Sequence, residues 1–357
     1  MRIALVTPRY LPEIGGLEVH VGQIARRLAA AGHGVDVLTQ AAPSAPRLDH
    51  AEGSTQRRFP IRLGGRAYPF APGLWSYLGQ HSRDYDVVHM HSYHATAAIP
   101  AALAPTQRLI FTPHYLGGGR TPIARAVHKP YRPVGRVLFR RADHIVCTTV
   151  AEAEMVASDF PDAQHKTTVI PNGIDADVIN GTAPQPHTGT LILCAGRLET
   201  YKNVHLAVAA LPFLGGGMRL VITGDGPAGG SLRGLAAELG VASQVEFAGA
   251  VPWPGVYRWF RAADVFVTMS ARESFGMSLL EAHVAGARLV ASDIPAHREV
   301  AAWVGPAVTV VPLAATPAEL AAAIQRAAAS PRPAVRRVPS WDDHVDALLR
   351  LYTQSSS

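Results

Sequence analysis

The feature that most constrains this chain is a pattern found in both halves, in which short β-branched runs alternate with amphipathic stretches of helical length. Helical periodicity is clear at 17–31, 204–211, 232–239 and 277–285. This alternation is typical of parallel sheets covered by helices. The sequence therefore predicts an α/β chain with two doubly wound halves. The predicted strands are 2–8, 34–40, 86–92, 108–114, 144–149 and 167–173 in the first half, and 190–196, 219–226, 245–249, 265–270, 288–293 and 307–312 in the second.

The domain boundaries are predicted from length and from breaks in this pattern. A chain of 357 residues is too long for one small core and suits two domains of ordinary size. The stretch 175–189, rich in Gly, Pro, Thr and Asn, is predicted to be the linker. A Pro- and Arg-rich passage at 330–340 precedes an amphipathic helix at 341–353. We therefore expect an N-terminal domain of 1–175 with 341–357, whose terminal helix packs back on it, and a C-terminal domain of 176–340.

The composition is that of a soluble globular protein, with 48% hydrophobic and 17% charged residues. The sequence contains no run of 18 or more apolar residues, so no membrane-spanning helix is predicted. The opening residues MRIALVTP have no cleavage site behind them, so no signal peptide is predicted. Cys147 and Cys194 each lie in an apolar strand-like run, which favours buried, reduced thiols over a disulfide. We therefore expect a cytoplasmic protein.

The net charge of +6 raises the question of a nucleic-acid partner. Residues 1–180 hold 19 Lys and Arg against 14 Asp and Glu, whereas residues 181–357 hold 14 against 13. The excess in the first half comes without interleaved aromatic residues and without a helix-turn-helix pattern. We therefore predict no nucleic-acid partner, while a ligand with phosphate groups stays open.

Polar residues at the carboxyl ends of parallel strands are candidate site residues, because ligands of open parallel sheets bind there. In the first half they are Gly15 and Gly16, where the first helix opens, and His91 and His114 at two strand ends. Adjacent glycines let backbone N–H groups approach an anion at a helix N-terminus. An ordinary strand-to-helix turn and two hydrogen-bonded structural histidines are the alternatives.

In the second half, the loop after strand 190–196 carries two cations, Arg197 and Lys202, before a helix that follows Asn203. Two cations beside a helix N-terminus suit a diphosphate with two or three negative charges. Solvated surface cations are the alternative for this pair.

A third cluster follows strand 265–270. Glu273 lies in the predicted loop, Gly276 and Met277 begin a helix, and Glu281 lies further along it. At this spacing the two carboxylates suit separate tasks, each accepting hydrogen bonds from hydroxyls of one extended ligand. A surface carboxylate beside an unrelated carboxylate on a helix face is the alternative.

Seven motifs follow one another along the chain: GGLEVH at 15–20, FTPHY at 111–115, IPNGID at 170–175, AGRLETYKN at 195–203, ITGDGP at 222–227, FAGAV at 247–251 and ARESFGMSLLEA at 271–282. In this order they resemble the family-4 retaining glycosyltransferases of GT-B fold, over essentially the whole chain. The resemblance implies two Rossmann-like domains that face an interdomain cleft. It also implies transfer of a hexose-type sugar from a nucleotide-sugar donor to a hydroxyl acceptor, with the donor as co-substrate and no cofactor.

The resemblance implies roles for the matching residues of the second half. Arg197 and Lys202 correspond to the pair that binds the donor diphosphate, and Glu273 to the carboxylate that holds the donor-sugar hydroxyls. Glu281 corresponds to the carboxylate on the ribose hydroxyls. Backbone around Ala250 and Val251 would contact the base. The residues that would lend backbone amides to the donor are Phe275, Gly276 and Met277.

In the first half, the resemblance places Gly16, with Gly15 beside it, at the distal phosphate of the donor. His114 corresponds to the histidine near the anomeric centre, so the implied catalytic set is His114, Arg197, Lys202 and Glu273. Asn172 would stabilise the cleft wall. The acceptor-side candidates are Glu18, His20, His91 and Tyr115, of which Tyr115 replaces an acidic residue or glycine of many members.

Two positions depart from the family pattern. Arg288 stands where many members have proline, and His283 stands at a position that is usually small or apolar. Neither is expected to take part in the chemistry.

The expected mechanism follows from the leaving group, a nucleotide diphosphate whose developing charge needs stabilisation. Preorganised cations and amides that face such charge usually make the largest catalytic contribution. Here Arg197, Lys202, Gly16 and the region around Gly276 would supply them without a metal. We favour same-face attack with the leaving phosphate accepting the acceptor's proton, and Glu273 as nucleophile is the alternative. An epimerase or hydrolase of the same fold, and a non-catalytic sugar-nucleotide binding module, are the rival functions. The base, the sugar and the acceptor stay open.

The segment 120–141 carries locally concentrated charge, with seven cations and no Asp or Glu. Pro130 and Pro133 predict a loop followed by a short helix from about Pro133. These cations are expected to form a solvated basic face, or alternatively to receive an anionic acceptor or an anionic membrane surface. The cations are Arg120, Arg125, Lys129, Arg132, Arg136, Arg140 and Arg141.

Overall fold

The computed structural model describes residues 1–12, 15–64, 69–118 and 122–354. It divides into two compact units, unit 1 being Met1–Asn172 with Trp341–Ser357 and unit 2 being Gly173–Ser340. The division at residue 172 lies three residues before the one that we expected from the sequence. Each unit is a mainly parallel sheet covered by helices, which confirms the predicted fold class.

The strands of unit 1 are β1 (Arg2–Thr7), β2 (Gly34–Ala41), β3 (Leu48–Ala51), β4 (Ser54–Pro60), β5 (Val87–His91), β6 (Leu109–Thr112), β7 (His144–Cys147) and β8 (Thr167–Val169). They form one sheet in the order β3-β4-β2-β1-β5-β6-β7-β8, in which only β3 and β4 pair antiparallel. The connections change direction between β1 and β5, and ligands of doubly wound sheets bind at such a switch point.

The helices of unit 1 are α1 (Gly16–Ala30), α2 (Pro72–His81), α3 (Ala98–Leu103), α4 (Pro122–Arg141), α5 (Val150–Asp159) and, from the chain's end, α13 (Trp341–Thr353). The apolar face of α13 joins the core formed by α1 and the sheet, through Val345, Leu348 and Leu351. Arg27 of α1 donates to Asp342 over 2.6 Å at the rim of this contact. The terminal helix therefore packs back on the first unit, as expected.

Unit 2 contains six parallel strands in the order β11-β10-β9-β12-β13-β14, with the switch point between β9 and β12. Its strands are β9 (Thr190–Ala195), β10 (Met218–Thr223), β11 (Val245–Gly249), β12 (Val265–Thr268), β13 (Arg288–Ser292) and β14 (Val308–Val311). Its helices are α6 (Ala176–Gly181), α7 (Val204–Ala210), α8 (Gly229–Glu238), α9 (Tyr257–Ala262), α10 (Met277–Val284), α11 (Pro295–Val304) and α12 (Pro317–Ala329).

The predicted linker at 175–189 was wrong in its first part, because residues Ala176–Gly181 form α6. Ile179 is fully buried in the core of unit 2, and this apolar anchor outweighs the loop-forming composition around it. Strands β3 and β4 were not predicted. Their inward-facing side chains are polar, as at Gln56 and Arg58, so they lack the apolar alternation by which half-buried strands are recognised.

The prediction of a loop and a short helix within 120–141 was also wrong. Helix α4 runs from Pro122 to Arg141 and passes through Pro130 and Pro133. Each interior proline removes one backbone hydrogen bond. Burial of Leu138 and Phe139 in the core of unit 1 supplies packing that holds the helix. Arg120 lies outside the described residues.

The passage 330–340 is bound to unit 2 by both residues that depart from the family pattern. Arg288 Nε donates to the Ser330 carbonyl over 2.6 Å, and His283 Nε2 accepts from the Arg336 backbone N–H over 2.9 Å. Arg332 adds a contact to Asp264 of 2.9 Å. These departures therefore hold the chain in place before it returns to unit 1.

Two predictions from composition can be compared with the structure. Cys147 and Cys194 are buried free thiols, and burial raises the pKa of Cys194 to about 12. Among the described helices, none combines the length and the apolar character that a membrane span requires.

Candidate functional site

The switch point of unit 2 is built from the two loops that follow β9 and β12. The first loop turns at Gly196, whose φ of +132° disfavours a side chain. It then passes through a single 3-10 turn, Thr200–Lys202, to Asn203, which adopts a left-handed conformation before α7. Arg197 and Lys202 both line the pocket between these loops, as the strand-end argument predicted.

Hydrogen bonds tie the two loops together. The Ala271 backbone N–H donates to the Tyr201 carbonyl over 2.8 Å, and Asn203 Nδ2 donates to the Met269 carbonyl over 3.0 Å. Both bonds connect residues next to the predicted site. The separation of Lys202 and Glu273 is therefore set by these bonds between the loops as well as by the contact between the two side chains.

The central contact of this site is an ion pair between Lys202 Nζ and Glu273 Oε1, 2.5 Å apart. The two side chains are only 19% and 15% exposed, so water screens the pair weakly. Arg197 is more open, and its Nε lies 3.3 Å from Glu199 Oε1. The structure thus pairs Lys202 with Glu273, which lies 71 residues further along the chain, and it pairs Arg197 with Glu199.

The N-terminus of α10 completes this edge of unit 2. Gly276 is its N-cap and has a left-handed φ of +96°, which lets the chain turn from the loop into the helix. Phe275 is buried, with its ring 5.6 Å from that of Trp303, and this contact anchors the turn. The first N–H groups of a helix have no intrahelical partner and carry partial positive charge. Gly276 and Met277 are therefore placed to offer backbone donors, as predicted.

Glu281 lies on α10 in a separate environment. Tyr257 Oη donates to Glu281 Oε1 over 3.1 Å. Burial raises the pKa of Glu281 to about 7, the Tyr257 hydrogen bond opposes this shift, and nearby Asp175 adds to it. Tyr257 begins α9, shortly after Ala250 and Val251 at the carboxyl end of β11. The predicted ribose carboxylate is thus bonded by a residue that closely follows the region predicted to contact the base.

Sequence reasoning missed His297, which opens α11 at the end of β13. Its Nδ1 donates to the Ser292 carbonyl over 2.9 Å, while Ser292 Oγ donates to the Ser270 carbonyl over 2.6 Å. Burial lowers the pKa of His297, nearby Glu273 raises it, and Lys202 lowers it. A Cβ on Gly276 would lie 3.5 Å from the His297 ring. His297 therefore supports the loop that carries Glu273.

Tyr257 and Asp175 were also missed. The strand-end rule applied to His91 and His114 would have found His297, because it follows strand RLVAS. No comparable signal marks Tyr257, which meets Glu281 only through the packing of α9 against α10.

In unit 1, the predicted anion site opens α1. Gly16 is exposed, and a Cβ built on it would meet nothing within 4 Å, so a ligand has space to approach its backbone. Glu18 is buried, and its carboxylate pairs with Arg9 Nε over 3.2 Å. A Cβ on Gly15 would lie 2.4 Å from Glu18 Oε2, so that carboxylate already occupies the helix N-terminus. Glu13 and Ile14, which precede this turn, lie outside the described residues.

The three predicted histidines of unit 1 meet in one cluster. The ring centroid of His20 lies 5.4 Å from that of His91 and 4.9 Å from that of His114. His20 Nδ1 donates to Asn172 Oδ1 over 2.9 Å. His20 and His91 are almost completely buried, whereas His114 is partly exposed. The strand ends bring these residues together as a group, of which His114 alone reaches the surface.

Two further histidines surround this group. His89 bonds through Nδ1 to Tyr352 Oη over 2.7 Å and through Nε2 to Thr112 Oγ1 over 2.8 Å. His344 of α13 donates through Nδ1 to the Pro171 carbonyl over 2.7 Å. Burial lowers the pKa of His114 to about 4 and that of His89 to about 3, and it also lowers the pKa of His20 and His91 well below the usual value. These imidazoles are therefore neutral at pH 7.

Tyr115 occupies a different position from the acceptor contact that we predicted. Its ring is fully buried in the core of unit 1, and its hydroxyl donates to Asp159 over 2.5 Å. Its backbone N–H donates to buried Glu152 over 2.6 Å. This bond follows His114, whose φ of +46° is unusual for a side-chain residue. Tyr115 is therefore a core residue that holds the strained backbone of His114.

The comparisons with known proteins concern the family and the fold of the chain. Two family models match in succession, one described as Glycosyltransferase Family 4 over residues 14–178 and one described as Glycosyl transferases group 1 over residues 178–338. The D-inositol 3-phosphate glycosyltransferase of Acidothermus cellulolyticus is 30% identical, covering 82% of this chain and 75% of that protein. The phosphatidyl-myo-inositol mannosyltransferase of Mycobacterium tuberculosis is 30% identical, covering 84% of this chain and 80% of its own length.

Among solved structures, Anabaena HepE in complex with UDP and glucose superposes with a TM-score of 0.77 at 18% identity, covering 99% of this chain and 100% of that chain. At 18% identity, this likeness shows that the two proteins share a fold and nothing more. The family models and the relatives show that the chain belongs to glycosyltransferase family 4. It is a glycosyltransferase of GT-B fold.

Proposed function

We propose that this glycosyltransferase moves a hexose-type sugar from a nucleoside-diphosphate donor to an acceptor hydroxyl, with retention and without a metal ion. The observation that carries the proposal is the pair of Lys202 Nζ and Glu273 Oε1 at the switch point of unit 2. A diphosphate and a sugar are adjacent groups of one donor. A cation and a carboxylate in direct contact match that adjacency, because the cation suits phosphate and the carboxylate suits hydroxyls.

The same residues support a mechanism in which leaving-group stabilisation dominates. Arg197, Lys202 and the amides at the start of α10 are aimed at one edge of the sheet, where the charge of a departing diphosphate would develop. Glu273 is engaged by Lys202, which favours a hydrogen-bonding role over attack as a nucleophile. Same-face attack, with the leaving phosphate accepting the acceptor's proton, then requires no covalent intermediate.

The ribose and the base are assigned to the other end of α10. Ribose hydroxyls donate hydrogen bonds, so they bind the ionised form of Glu281, and binding would draw its pKa down from about 7. The solved relative named with UDP and glucose makes UDP-glucose the first donor to test.

The acceptor is assigned to unit 1, where His114 would lie near the anomeric carbon. The two relatives are named for inositol-phosphate-type acceptors, one of them a phospholipid, which favours a phosphate-bearing polyol. Helix α4 offers matching charge: Arg136 and Arg140 are exposed, whereas Arg132 bonds Asp159 and Arg141 bonds the Ala102 carbonyl.

The experiment that tests transfer is an assay with UDP-glucose, GDP-mannose and a panel of polyol acceptors. Proton NMR of the product should show the donor's anomeric configuration, at equal rate in EDTA. An inverted product would refute retention, and loss in EDTA with rescue by Mg²⁺ would refute the metal-free claim. Acceptor-independent release of nucleotide, with free or epimerised sugar, would favour the hydrolase or epimerase alternative. Donor binding without turnover across the panel would favour a binding module.

Membrane contact through α4 is tested by sedimentation with vesicles of phosphatidylcholine alone or mixed with phosphatidylinositol. Exposed cations near anionic headgroups are each worth about 1 kcal/mol, so binding should be salt-sensitive and lost in Arg136→Glu/Arg140→Glu. The matched control is Arg233→Glu/Arg326→Glu, which changes exposed charges of unit 2 by the same amount. No binding at low salt would leave a water-soluble acceptor.

A further inference from the structure

The histidine cluster of unit 1 has a property beyond the role proposed for His114 in sugar transfer. Among the residues that the structure describes, His20, His91 and His114 form a group of potential metal ligands whose nitrogens all lie within 4.8 Å of one another. They come from three separate segments: α1, the end of β5 and the loop after β6.

The ring nitrogens that face this group lack partners. His20 Nε2, His114 Nε2 and both nitrogens of His91 are buried and form no hydrogen bond with the described residues. His20 and His91 are 1% and 0% exposed. Buried polar atoms are nearly always satisfied, so several bare nitrogens in one place point to a group that binds them.

The tautomer of His20 favours a metal over another hydrogen-bond donor. Because Asn172 Oδ1 accepts from His20 Nδ1, the Nε2 atom carries a lone pair toward the cluster. Histidines that bind metals commonly donate their other N–H to an oxygen in this way. A divalent cation is the partner that accepts several imidazole lone pairs at once.

We infer that His20, His91 and His114 form a binding site for a divalent transition metal ion of imidazole preference, represented by Zn²⁺. Three nitrogens at about 2.1 Å from Zn²⁺, with water as the fourth ligand, lie about 3.4 Å apart. Rotation of the rings that shortens the longest separation by on the order of 1 Å completes this geometry. Partly exposed His114 provides both the freedom to rotate and the route of entry.

The site shares His114 with the proposed transfer reaction, so its test measures metal binding and not turnover. An ion held by three segments would cross-link α1 to the end of β5 and to the loop after β6, and would stabilise unit 1. Hard cations such as Mg²⁺ prefer oxygen ligands and would not replace it.

The test uses the full chain, freed of metal with EDTA and then dialysed. Zn²⁺ should raise the melting temperature at one equivalent per chain, Mg²⁺ should not, and Co²⁺ should produce the visible absorption of a tetrahedral nitrogen site. His114→Gln should abolish both signals, while Asn172→Ala, which frees the His20 ring, should weaken Zn²⁺ binding about 10- to 100-fold.

The matched control is His165→Gln, which removes an exposed histidine of the same unit and should bind like the wild type. His91→Gln should also lose the ion, with far-UV circular dichroism reporting whether it folds. Absence of any Zn²⁺-dependent change in the wild-type chain would overturn the inference. Equal Zn²⁺ binding by the wild type and by folded His114→Gln would also overturn it.

Discussion

The two units carry different chemistry at the same place in similar sheets. Both sheets change direction beside a central strand, at β1 and β5 in unit 1 and at β9 and β12 in unit 2. In unit 1 the residues there are buried, neutral imidazoles around His20. In unit 2 they are charged, with Lys202 and Glu273 in direct contact.

This difference separates the location of a binding site, which the fold determines, from the class of ligand, which the side chains determine. A doubly wound sheet determines where a ligand binds, because the strand ends and helix N-termini converge there. The residues at those ends determine the class of ligand. The charged set of unit 2 suits phosphates and hydroxyls, whereas the lone pairs of unit 1 suit a transition-metal cation or a neutral sugar surface.

The sharpest test of the charged site is the removal of its cations. Lys202→Ala and Arg197→Ala should each lower kcat/KM by about 10²–10³, the usual cost of one lost donor at developing charge. Arg298→Ala is the control, since Arg298 is an exposed cation of the same unit paired with Asp293. Circular dichroism and melting should be unchanged in all three. Wild-type activity in either site variant would remove the diphosphate assignment.

The two carboxylates of α10 and its loop should differ in kind. Glu273→Gln should act mainly on kcat, by about tenfold to hundredfold, because hydroxyl contacts near the reacting carbon strengthen in the transition state. Glu281→Gln should act mainly on donor affinity, because ribose contacts are made equally in the ground state. Steady-state kinetics and calorimetric titration of UDP separate the two. The opposite pattern would show that the roles are exchanged.

Glu281 also predicts a pH dependence of stability. Burial raises its folded pKa to about 7 from the usual 4.5, so the folded state disfavours the carboxylate. Below pH 4.5 Glu281 is neutral in both the folded and the unfolded chain, so its burial has no charge to desolvate. The free energy of unfolding falls as the pH rises from there to about 7. Glu281→Gln should therefore melt above the wild type at pH 8 and at the same temperature at pH 4.5. Exposed Glu238→Gln is the control, and a gap that does not widen with pH would contradict this sign.

The smallest expected effect concerns Tyr257, one of the residues that sequence reasoning missed. Tyr257→Phe removes one hydrogen bond to Glu281, worth about 0.5–1.5 kcal/mol, so UDP should bind a few-fold more weakly. Tyr201→Phe, on the loop beside Lys202, is the control and should bind UDP normally. Unchanged affinity in Tyr257→Phe would show that Tyr257 does not orient Glu281.

The predictions from sequence succeeded where local pattern and tertiary packing agree. Strands such as β9 and β12 are apolar runs that end in polar residues, so both their existence and the location of Arg197 and Glu273 could be read directly. They failed for α4, where two prolines indicated a break but core packing of Leu138 and Phe139 holds one helix. They failed for Tyr115, because a motif places a residue near a site without saying where its ring points.

The sequence by itself determined the class of this protein: the periodicity gave two parallel α/β halves, and the ordered motifs gave the family and the charged residues of the donor site. Only the tertiary structure decided which of these residues meet. The ion pair of Lys202 with Glu273 joins positions 71 residues apart, and His20 meets Asn172 across 152. Such contacts depend on the packing of whole helices and loops, which local patterns do not encode. For the same reason, only the folded chain shows that nitrogens of His20, His91 and His114 have no hydrogen-bond partner among the described residues.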